Sequence, residues 1–317
     1  MIKIGAVNID TSHPKGFAAQ FEKSDRAKYV AVYNDGFRER DEVEAFASKY
    51  NLTICETLEE MAELVDIAFI HGCNWDRHLE MAKVFINKGV KVFIDKPIVG
   101  NMKDLEEFKA LAEDGGAEIL GTSALRYCYE VQNVQKVLKE NNVKPVHTCV
   151  TVGVDEFNYA IHAAEMICAI HTEKPMSCRH INTTNANGRV CNTFMVTFAD
   201  GSTAEYICID GRFSMFNTIV MTNGKNHETD LCFITDNTKL YEAMLDKLFN
   251  KLEGKKDELA TAEQMCDAIK IMLAGKASQE NGDIEVSLDS DLLYKTSYDG
   301  YEFEKGYAAA ASKMYLD

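Results

Sequence analysis

The feature that most constrains the fold is a regular alternation of short apolar segments with amphipathic ones over the first 122 residues. Strands are predicted at 2–7, 29–33, 67–70, 91–94 and 118–122, and helices near 14–23, 40–50, 76–88 and 102–113. Parallel neighbours need a crossover between strands, usually a helix, and the intervals supply one. Residues 1–122 therefore predict an α/β domain, an open parallel sheet with helices on both faces.

The pattern changes after residue 122. The stretches "VHTCVTVG", "TFMVTFADGSTAEYICIDG" and "FNTIVMTNGKNHETDLCFI" are predicted as consecutive strands, and the turns "ADGS" and "TNGK" favour antiparallel hairpins. Helices are predicted at 158–170, 240–252 and 261–276. We therefore expect a second domain over 123–317, of the α+β class, with a large open and mainly antiparallel sheet.

Composition narrows the range of partners. Lys and Arg number 34 against 50 Asp and Glu, a net charge of -16 that disfavours nucleic acid and anionic membranes. The chain has no apolar run near the roughly 20 residues that span a bilayer. The ten cysteines form no CxxC pair, so we expect reduced thiols and a cytoplasmic protein. The histidines lack ligand spacing, and we expect no metal.

The first strand leads into "KIGAVNIDTSHPKGF", where a dinucleotide-binding fold carries GxGxxG, but only Gly5 and Gly16 are present. Pro14 suits the first turn of a helix, and a hydroxyl before it can cap that helix while backbone N–H groups face a diphosphate. We expect a weaker or differently seated diphosphate, with the negative charge of Asp10 opposing it unless that side chain points away. The predicted cradle is Asn8, Ile9, Asp10, Thr11, Ser12 and His13.

A second candidate lies where the strand 91–94 ends in Asp95, Lys96 and Pro97. This is the carboxyl edge of the predicted sheet, where open α/β folds bind ligands. Pro97 restricts Lys96 to extended geometry, which would hold its amine in a repeatable position. The alternative is a solvated loop lysine.

Several segments together resemble one protein family. The run 65–98, with Asn74, His78 and Asp95-Lys96-Pro97, resembles the hallmark segment of the Gfo/Idh/MocA (glucose-fructose oxidoreductase / inositol dehydrogenase) family, with Asp95 in place of the family's Glu. "GTSALRYCYEVQNVQKVL", "NYAIHAAEMICAI" and "MCDAIKIMLAGKASQENGDIEVSL" resemble its later segments. The resemblance touches most of the chain from 1 to about 288.

The resemblance implies a Rossmann domain that binds NAD or NADP and a second domain that binds substrate and forms a homodimer or homotetramer. It implies hydride transfer at a hydroxyl of a sugar, cyclitol or related polyol, with Lys96 and His162 handling the proton. The ordinary lysine pKa of about 10.4 would have to fall for that role. Arg126 and Tyr127 are candidates to face the substrate.

The second-domain motif departs from the family at one position. Asn158 stands where the family has an aspartate four residues before the histidine, and an amide does not take up a proton at neutral pH. We therefore expect Asn158 to hydrogen-bond a substrate hydroxyl and Glu165 to orient His162. The alternative is that His162 and Glu165 only pack between domains.

Cofactor choice depends on the end of the second strand, where an acidic side chain accepts hydrogen bonds from the adenosine ribose. Asn34 holds that position, Asp35 follows it, and Arg38 lies within range. Asp35 favours NAD, and Arg38 leaves NADP possible. The cofactor-binding set is completed by Asn74, expected at the nicotinamide ribose, and by His78, Asp95 and Lys96; for His78 the alternative is helix packing.

Two other functions stay open. The missing glycines and Asn158 suit a non-redox lyase or glycosidase-type enzyme that uses a retained NAD transiently, or an inactive homologue that binds a sugar or cofactor. A dead binding module would be expected to lose Lys96 and His162 first, and both are present. The sequence therefore favours a catalytic oxidoreductase.

Overall fold

The computed structural model describes residues 1–114, 116, 118–213 and 216–316. The first part of the chain alternates strands and helices as the sequence predicts. Its elements are β1 (Ile2–Val7), α1 (His13–Phe21), β2 (Ala27–Tyr33), α2 (Arg40–Tyr50), β3 (Thr53–Ile54), α3 (Leu58–Ala62), β4 (Ile67–Ile70), α4 (His78–Ile86), β5 (Lys91–Ile94), α5 (Met102–Glu113) and β6 (Ile119–Gly121).

These strands form one parallel sheet in the order β3-β2-β1-β4-β5-β6. The order reverses between β1 and β4, and open α/β folds bind ligands at the carboxyl ends of the strands beside such a reversal. Every residue of β4 is buried, which explains its wholly apolar sequence. The Rossmann-type sheet is confirmed, whereas β3 and α3 were too short to be predicted.

The second part is built on a larger sheet. Its elements are α6 (Tyr129–Asn141), β7 (Pro145–Val154), α7 (Ala160–Ile170), β8 (Pro175–Ala186), β9 (Arg189–Phe198), β10 (Thr203–Asp210), β11 (Asn217–Thr222), β12 (Leu231–Ile234), α8 (Leu240–Leu252), α9 (Ala262–Glu280), β13 (Val286–Ser287) and α10 (Gly300–Ala310). The strand order is β12-β11-β7-β10-β9-β8-β13. The pair β7 and β10 is parallel and the other pairs are antiparallel, so the mainly antiparallel sheet is confirmed.

Three predicted details are corrected. The helix expected from residue 158 begins at Ala160, because Asp155 Oδ1 accepts the N–H groups of Phe157 and Tyr159 and holds residues 155–159 in a turn. Asn158 therefore precedes the helix and does not share a helical face with His162. The helix α9 continues to residue 280, and the strand β8 and the helix α10 are present in addition to the predicted elements.

Helix α8 ties the second part of the chain to the first. Leu245, Leu248 and Phe249 are buried in the same apolar cluster as Phe17 and Phe21 of α1. Among the helices of the described ranges, none is both long and apolar enough to cross a bilayer.

Candidate active site

A cavity of about 200 Å³ lies at the carboxyl edge of the parallel sheet, where α7 and α8 meet it. Sites for drug-sized ligands have roughly 300–1,000 Å³, so this cavity suits one small molecule and not a whole dinucleotide. Its lining combines apolar rings with a few ionisable groups. The lining residues are Ser12, His13, Phe17, Asp95, Lys96, Ala124, Tyr159, His162, Phe213, Phe216, Asn237, Leu240, Tyr241 and Met244.

Lys96 reaches this cavity from the end of β5. Its Nζ donates to the backbone carbonyl and to Oδ1 of Asn158, both at 2.9 Å, and lies 5.3 Å from the centre of the Tyr159 ring. Burial lowers the pKa of Lys96, and the charges of Asp95 and Asp155 partly oppose that shift. The lowered pKa is the property that a lysine needs in order to act as a base.

His162 lies on α7 across the cavity. Its Nδ1 is 2.6 Å from Ser123 Oγ, and the residue is 7% exposed. Burial, followed by the positive charge of Lys96, holds the pKa of His162 well below its usual value. The imidazole is therefore neutral at physiological pH.

Glu165 lies on the same helix but contacts other residues. One carboxylate oxygen accepts the hydroxyl of Thr122, and the other accepts Nη1 of Arg126 at 2.6 Å. The prediction that Glu165 orients His162 is therefore wrong, and the hydroxyl of Ser123 contacts the imidazole instead. Burial raises the pKa of Glu165, and the guanidinium of Arg126 opposes that shift.

The turn after β1 places a second imidazole, that of His13, in the cavity lining. His13 Nδ1 lies 2.6 Å from Asp95 Oδ2, and the same oxygen is 3.1 Å from Nδ1 of the buried His71. The network continues from His71 Nε2 to the hydroxyl of Tyr29 at 2.8 Å, while Asp95 Oδ1 accepts the N–H of Lys96. Burial would raise the pKa of Asp95, but the charges and hydrogen bonds of the two imidazoles hold it well below its usual range.

This contact gives His13 the arrangement of an imidazole oriented by a carboxylate, which is a common form of general base. From the sequence, both residues are expected at the cofactor. The available signal was a histidine in the turn after the first strand together with an aspartate at the end of another strand of the same parallel sheet, since the carboxyl ends of all its strands lie at one edge.

Asn74 and His78 lie outside the cavity lining. Asn74 Nδ2 donates to Glu304 Oε2 at 3.0 Å, and its Oδ1 accepts the N–H of Asp76. His78 is buried between the carbonyls of Ile98 and Gly72, at 3.0 and 2.9 Å. Burial lowers the pKa of His78, so the ring is neutral and donates to one carbonyl at a time. These contacts match the alternative given above, in which His78 only packs within the chain.

Arg126 and Tyr127 are not brought together with Lys96. They are buried, and they line a separate, open cleft of about 920 Å³ between β6, α7 and the start of α9. Arg126 pairs with Glu165, and the Tyr127 hydroxyl accepts the N–H of Ala260 at 2.9 Å. Their expected contact with a substrate beside Lys96 is not supported by this placement.

We call the space over the carboxyl ends of β1, β2 and β4 the dinucleotide groove, because adenosine and diphosphate lie there in Rossmann domains. The residues expected to select the cofactor are engaged with the chain itself. Asn34 accepts the N–H of Ile9 and donates to the carbonyl of Arg38. Asp35 binds Arg77, at 2.5 Å, and the hydroxyl of Tyr33.

Arg38 is also engaged. Its Nε and Nη2 donate to the carbonyl of Asp10 at 3.0 and 2.8 Å, and its Nη1 donates to Glu42 and to the carbonyl of Ser312. The hydroxyl of Tyr315 donates to the carbonyl of Thr11 at 2.6 Å. Residues from the far end of the described chain thus lie against both the first turn and the end of β2.

Asp10 occupies a position where a dinucleotide fold needs a small residue. Its carboxylate points away from α1, accepts the N–H of Cys73 at 3.0 Å, and packs so closely on Gly36 that a Cβ there would collide with it. Ligand atoms of Asp10, Cys73 and Glu304 lie within 4.8 Å of one another. In this conformation residues of the chain itself, Ser312 and Tyr315, lie in the groove, and the carboxylate of Asp10 lies beside them.

The turn before α1 differs slightly from expectation. Helix α1 begins at His13, and Ser12 at its N-cap makes no side-chain capping bond; Thr11 Oγ1 accepts the N–H of His13 instead. Asn8 adopts a positive φ of 62° at the end of β1, a conformation that asparagine tolerates better than most residues. The turn thus keeps its shape without the first glycine.

Comparison with known proteins identifies the domain. Residues 4–122 match the GFO_IDH_MocA family, described as an oxidoreductase family with an NAD-binding Rossmann fold. The N-terminal domain belongs to the Gfo/Idh/MocA oxidoreductase family. The expected resemblance is thereby confirmed, and no curated protein matches the chain in sequence.

Solved structures share the fold of this chain over nearly its full length. A putative myo-inositol dehydrogenase from Sinorhizobium meliloti 1021 superposes with a TM-score of 0.74 at 15% identity, covering 91% of this chain and 100% of that one. A scyllo-inositol dehydrogenase from Lactobacillus casei, solved with NAD(H) and scyllo-inositol, gives 0.74 at 16% identity, covering 92% and 100%. A putative NADPH-dependent oxidoreductase from Desulfitobacterium hafniense gives 0.75 at 12% identity, covering 90% and 98%.

Proposed function

We propose that this chain is a nicotinamide-dependent oxidoreductase that acts at a hydroxyl of a sugar, cyclitol or related polyol. The observation that carries the proposal is the convergence of Lys96, His162 and the His13–Asp95 pair on one cavity of about 200 Å³. Membership of an NAD-binding family and structural likeness to inositol dehydrogenases agree with it. NAD is the expected cofactor, with NADP possible.

The proton chemistry is assigned to groups of this chain. Oxidation of an alcohol releases a proton from oxygen, and a base must lie within hydrogen-bond reach of it. The lowered pKa of Lys96 favours the neutral amine that takes up the proton, and His162, held neutral, can hydrogen-bond the same hydroxyl and pass its proton on. The bound nicotinamide would take up the hydride; the chain's own residues bind and orient the polyol and move its hydroxyl proton.

Asn158 acts by positioning in this proposal. Its backbone carbonyl and its Oδ1 fix the Lys96 amine, a role different from the expected hydrogen bond to substrate. His13 supplies a second route for the proton, because its Nδ1 is held by Asp95 while the ring faces the cavity. Solvent reaches this ring, since the side chain is 18% exposed.

The test is a panel of inositols, hexoses and sugar acids with NAD and NADP, followed by absorbance at 340 nm. We expect Lys96→Met and His162→Gln each to lower kcat/KM by a factor of 10² or more, as for loss of a general base. Lys83→Met is the matched control, because Lys83 pairs with Glu107 on the surface. If His162→Gln and Lys96→Met both turn over the substrate like the parent, the proposed roles are wrong.

One observation favours a second candidate, a non-redox lyase or glycosidase-type enzyme that keeps its NAD. The altered turn at Asp10 and the residues that lie across the groove would slow exchange of the cofactor between turnovers, which suits an enzyme that retains it. The same panel separates the two functions. Product that accumulates without net NADH formation supports the non-redox enzyme, and stoichiometric NADH supports the oxidoreductase.

A further inference from the structure

We propose that residues 300–316, comprising α10 and the segment after it, form a lid that fills the adenosine half of the dinucleotide groove and must leave before NAD binds. We call this segment the C-terminal lid. The inference rests on the proposed function, because it concerns access to the same cofactor site.

The lid contacts all three places where a Rossmann domain holds its dinucleotide. At the turn after β1, the hydroxyl of Tyr315 donates to the carbonyl of Thr11 at 2.6 Å. At the end of β2, the carbonyl of Ser312 accepts Nη1 of Arg38 at 2.7 Å. At the end of β4, Glu304 accepts the amide of Asn74 at 3.0 Å. The lid therefore follows the path that diphosphate and adenosine would take.

Two aromatic rings of the lid, those of Tyr307 and Tyr315, lie in the adenosine half of the groove. Tyr315 is 7% exposed, its ring centre lies 5.2 Å from that of Phe46, and the Arg38 guanidinium lies 5.7 Å from it. Tyr307 packs 5.9 Å from Phe37, at the end of β2. A flat ring between an aromatic side chain and an arginine is also the environment that an adenine would use.

The attachment of the lid combines buried and exposed contacts. Within α10 only Gly300 is fully buried, and Phe303 packs partly against the core, with its ring centre 4.8 Å from that of Trp75. The segment after it is held by the buried Tyr315, by Arg38 on the carbonyl of Ser312, by Glu42 on the N–H of Met314, and by the exposed ion pair of Lys313 with Asp41. The carboxylate of Glu304 on the lid and that of Asp10 in the groove repel each other. Opening therefore costs these contacts but separates two like charges.

The test measures binding of NAD and of AMP to the full chain by calorimetry, for the parent and for the double variant Tyr307→Ala/Tyr315→Ala. A protein that binds only in its open state has an apparent Kd equal to the intrinsic Kd divided by the open fraction. We expect the double variant to bind both ligands at least tenfold more tightly. Tyr301→Ala is the matched control, because Tyr301 lies on α10 with 58% of its surface exposed.

Hydrogen exchange of residues 300–316 supplies the second readout. Saturating NAD is expected to increase exchange there in the parent, because the ligand displaces the lid. Equal affinities in parent and double variant, with unchanged exchange on NAD addition, overturn the lid and leave the proposed function standing. No binding of NAD or NADP to any variant overturns both, whereas a confirmed lid without polyol turnover overturns the proposed function alone.

Discussion

Asp10 gives a prediction whose size follows from the structure. The residue is 1% exposed; Oδ2 accepts the N–H of Cys73, and Oδ1 has no hydrogen-bond partner among the described residues. Burial raises the pKa of Asp10 to about 6; the hydrogen bonds of Cys73 and the charge of Arg38 lower it, and Glu304 raises it. An aspartate with this environment is destabilising when ionised.

The sign of the pH dependence follows. Because the folded state raises this pKa from 3.8 to about 6, it binds the proton more tightly than the unfolded state does. The contribution of protonated Asp10 to the free energy of unfolding is therefore fully present below pH 3.8. It is lost as the pH rises through 6. A shift of about two units corresponds to about 3 kcal/mol of unfolding free energy at pH 8.

The variant Asp10→Asn removes the charge and keeps an oxygen that can accept the Cys73 N–H. We expect it to be more stable than the parent by about 1–3 kcal/mol at pH 8, with the gain smaller at pH 5. Urea unfolding at the two pH values measures the difference, and the exposed Asp25→Asn is the control. A variant no more stable than the parent at pH 8, or equally more stable at both pH values, would refute the reasoning.

Three further stability predictions concern buried or capped positions. Arg126→Met leaves the charge of Glu165 buried without its partner and is expected to cost about 3–5 kcal/mol in urea unfolding, most of which the double variant with Glu165→Gln recovers. Thr261→Ala breaks the capping box with Gln264 at the start of α9 and is expected to cost about 1 kcal/mol, whereas Thr261→Ser keeps the stability. Gly275→Ala is expected to lower Tm although alanine favours helices, because its Cβ would lie 2.6 Å from the Tyr206 hydroxyl; an unchanged Tm would mean that the ring moves freely.

The sequence predicted the parallel sheet because its signals are local. Each buried strand is a short apolar run, and the intervening helices have the length that a crossover needs. The parallel pairing of β7 with β10 has no such signal, since it depends on which strands meet after the chain has passed through α7, β8 and β9. The start of α7 could have been predicted from the sequence, because Asp155 stands where an Asx turn precedes a helix.

The site was predicted in part for the same reason. Lys96 and His162 lie in segments that resemble family motifs, and both line the cavity. Glu165 was assigned to His162 from helical spacing and from the family's frequent aspartate at that position, but its partner Arg126 comes from a different segment. The contact of His13 with Asp95 joins residues 82 positions apart, and no local pattern predicts it.

The departures from the family pattern occur in both halves of the site, and they differ in kind. The turn at Asn8, the carboxylate of Asp10 and the lid side chain Tyr315 all lie over the adenosine and diphosphate half of the groove. In the cavity half, Asp95 and Asn158 replace the family's acids, but the lysine with a lowered pKa and the neutral histidine to which we assign the proton are both present. Under the proposed function, the missing glycines therefore concern entry of the cofactor, and the departures beside Lys96 concern how its amine is positioned.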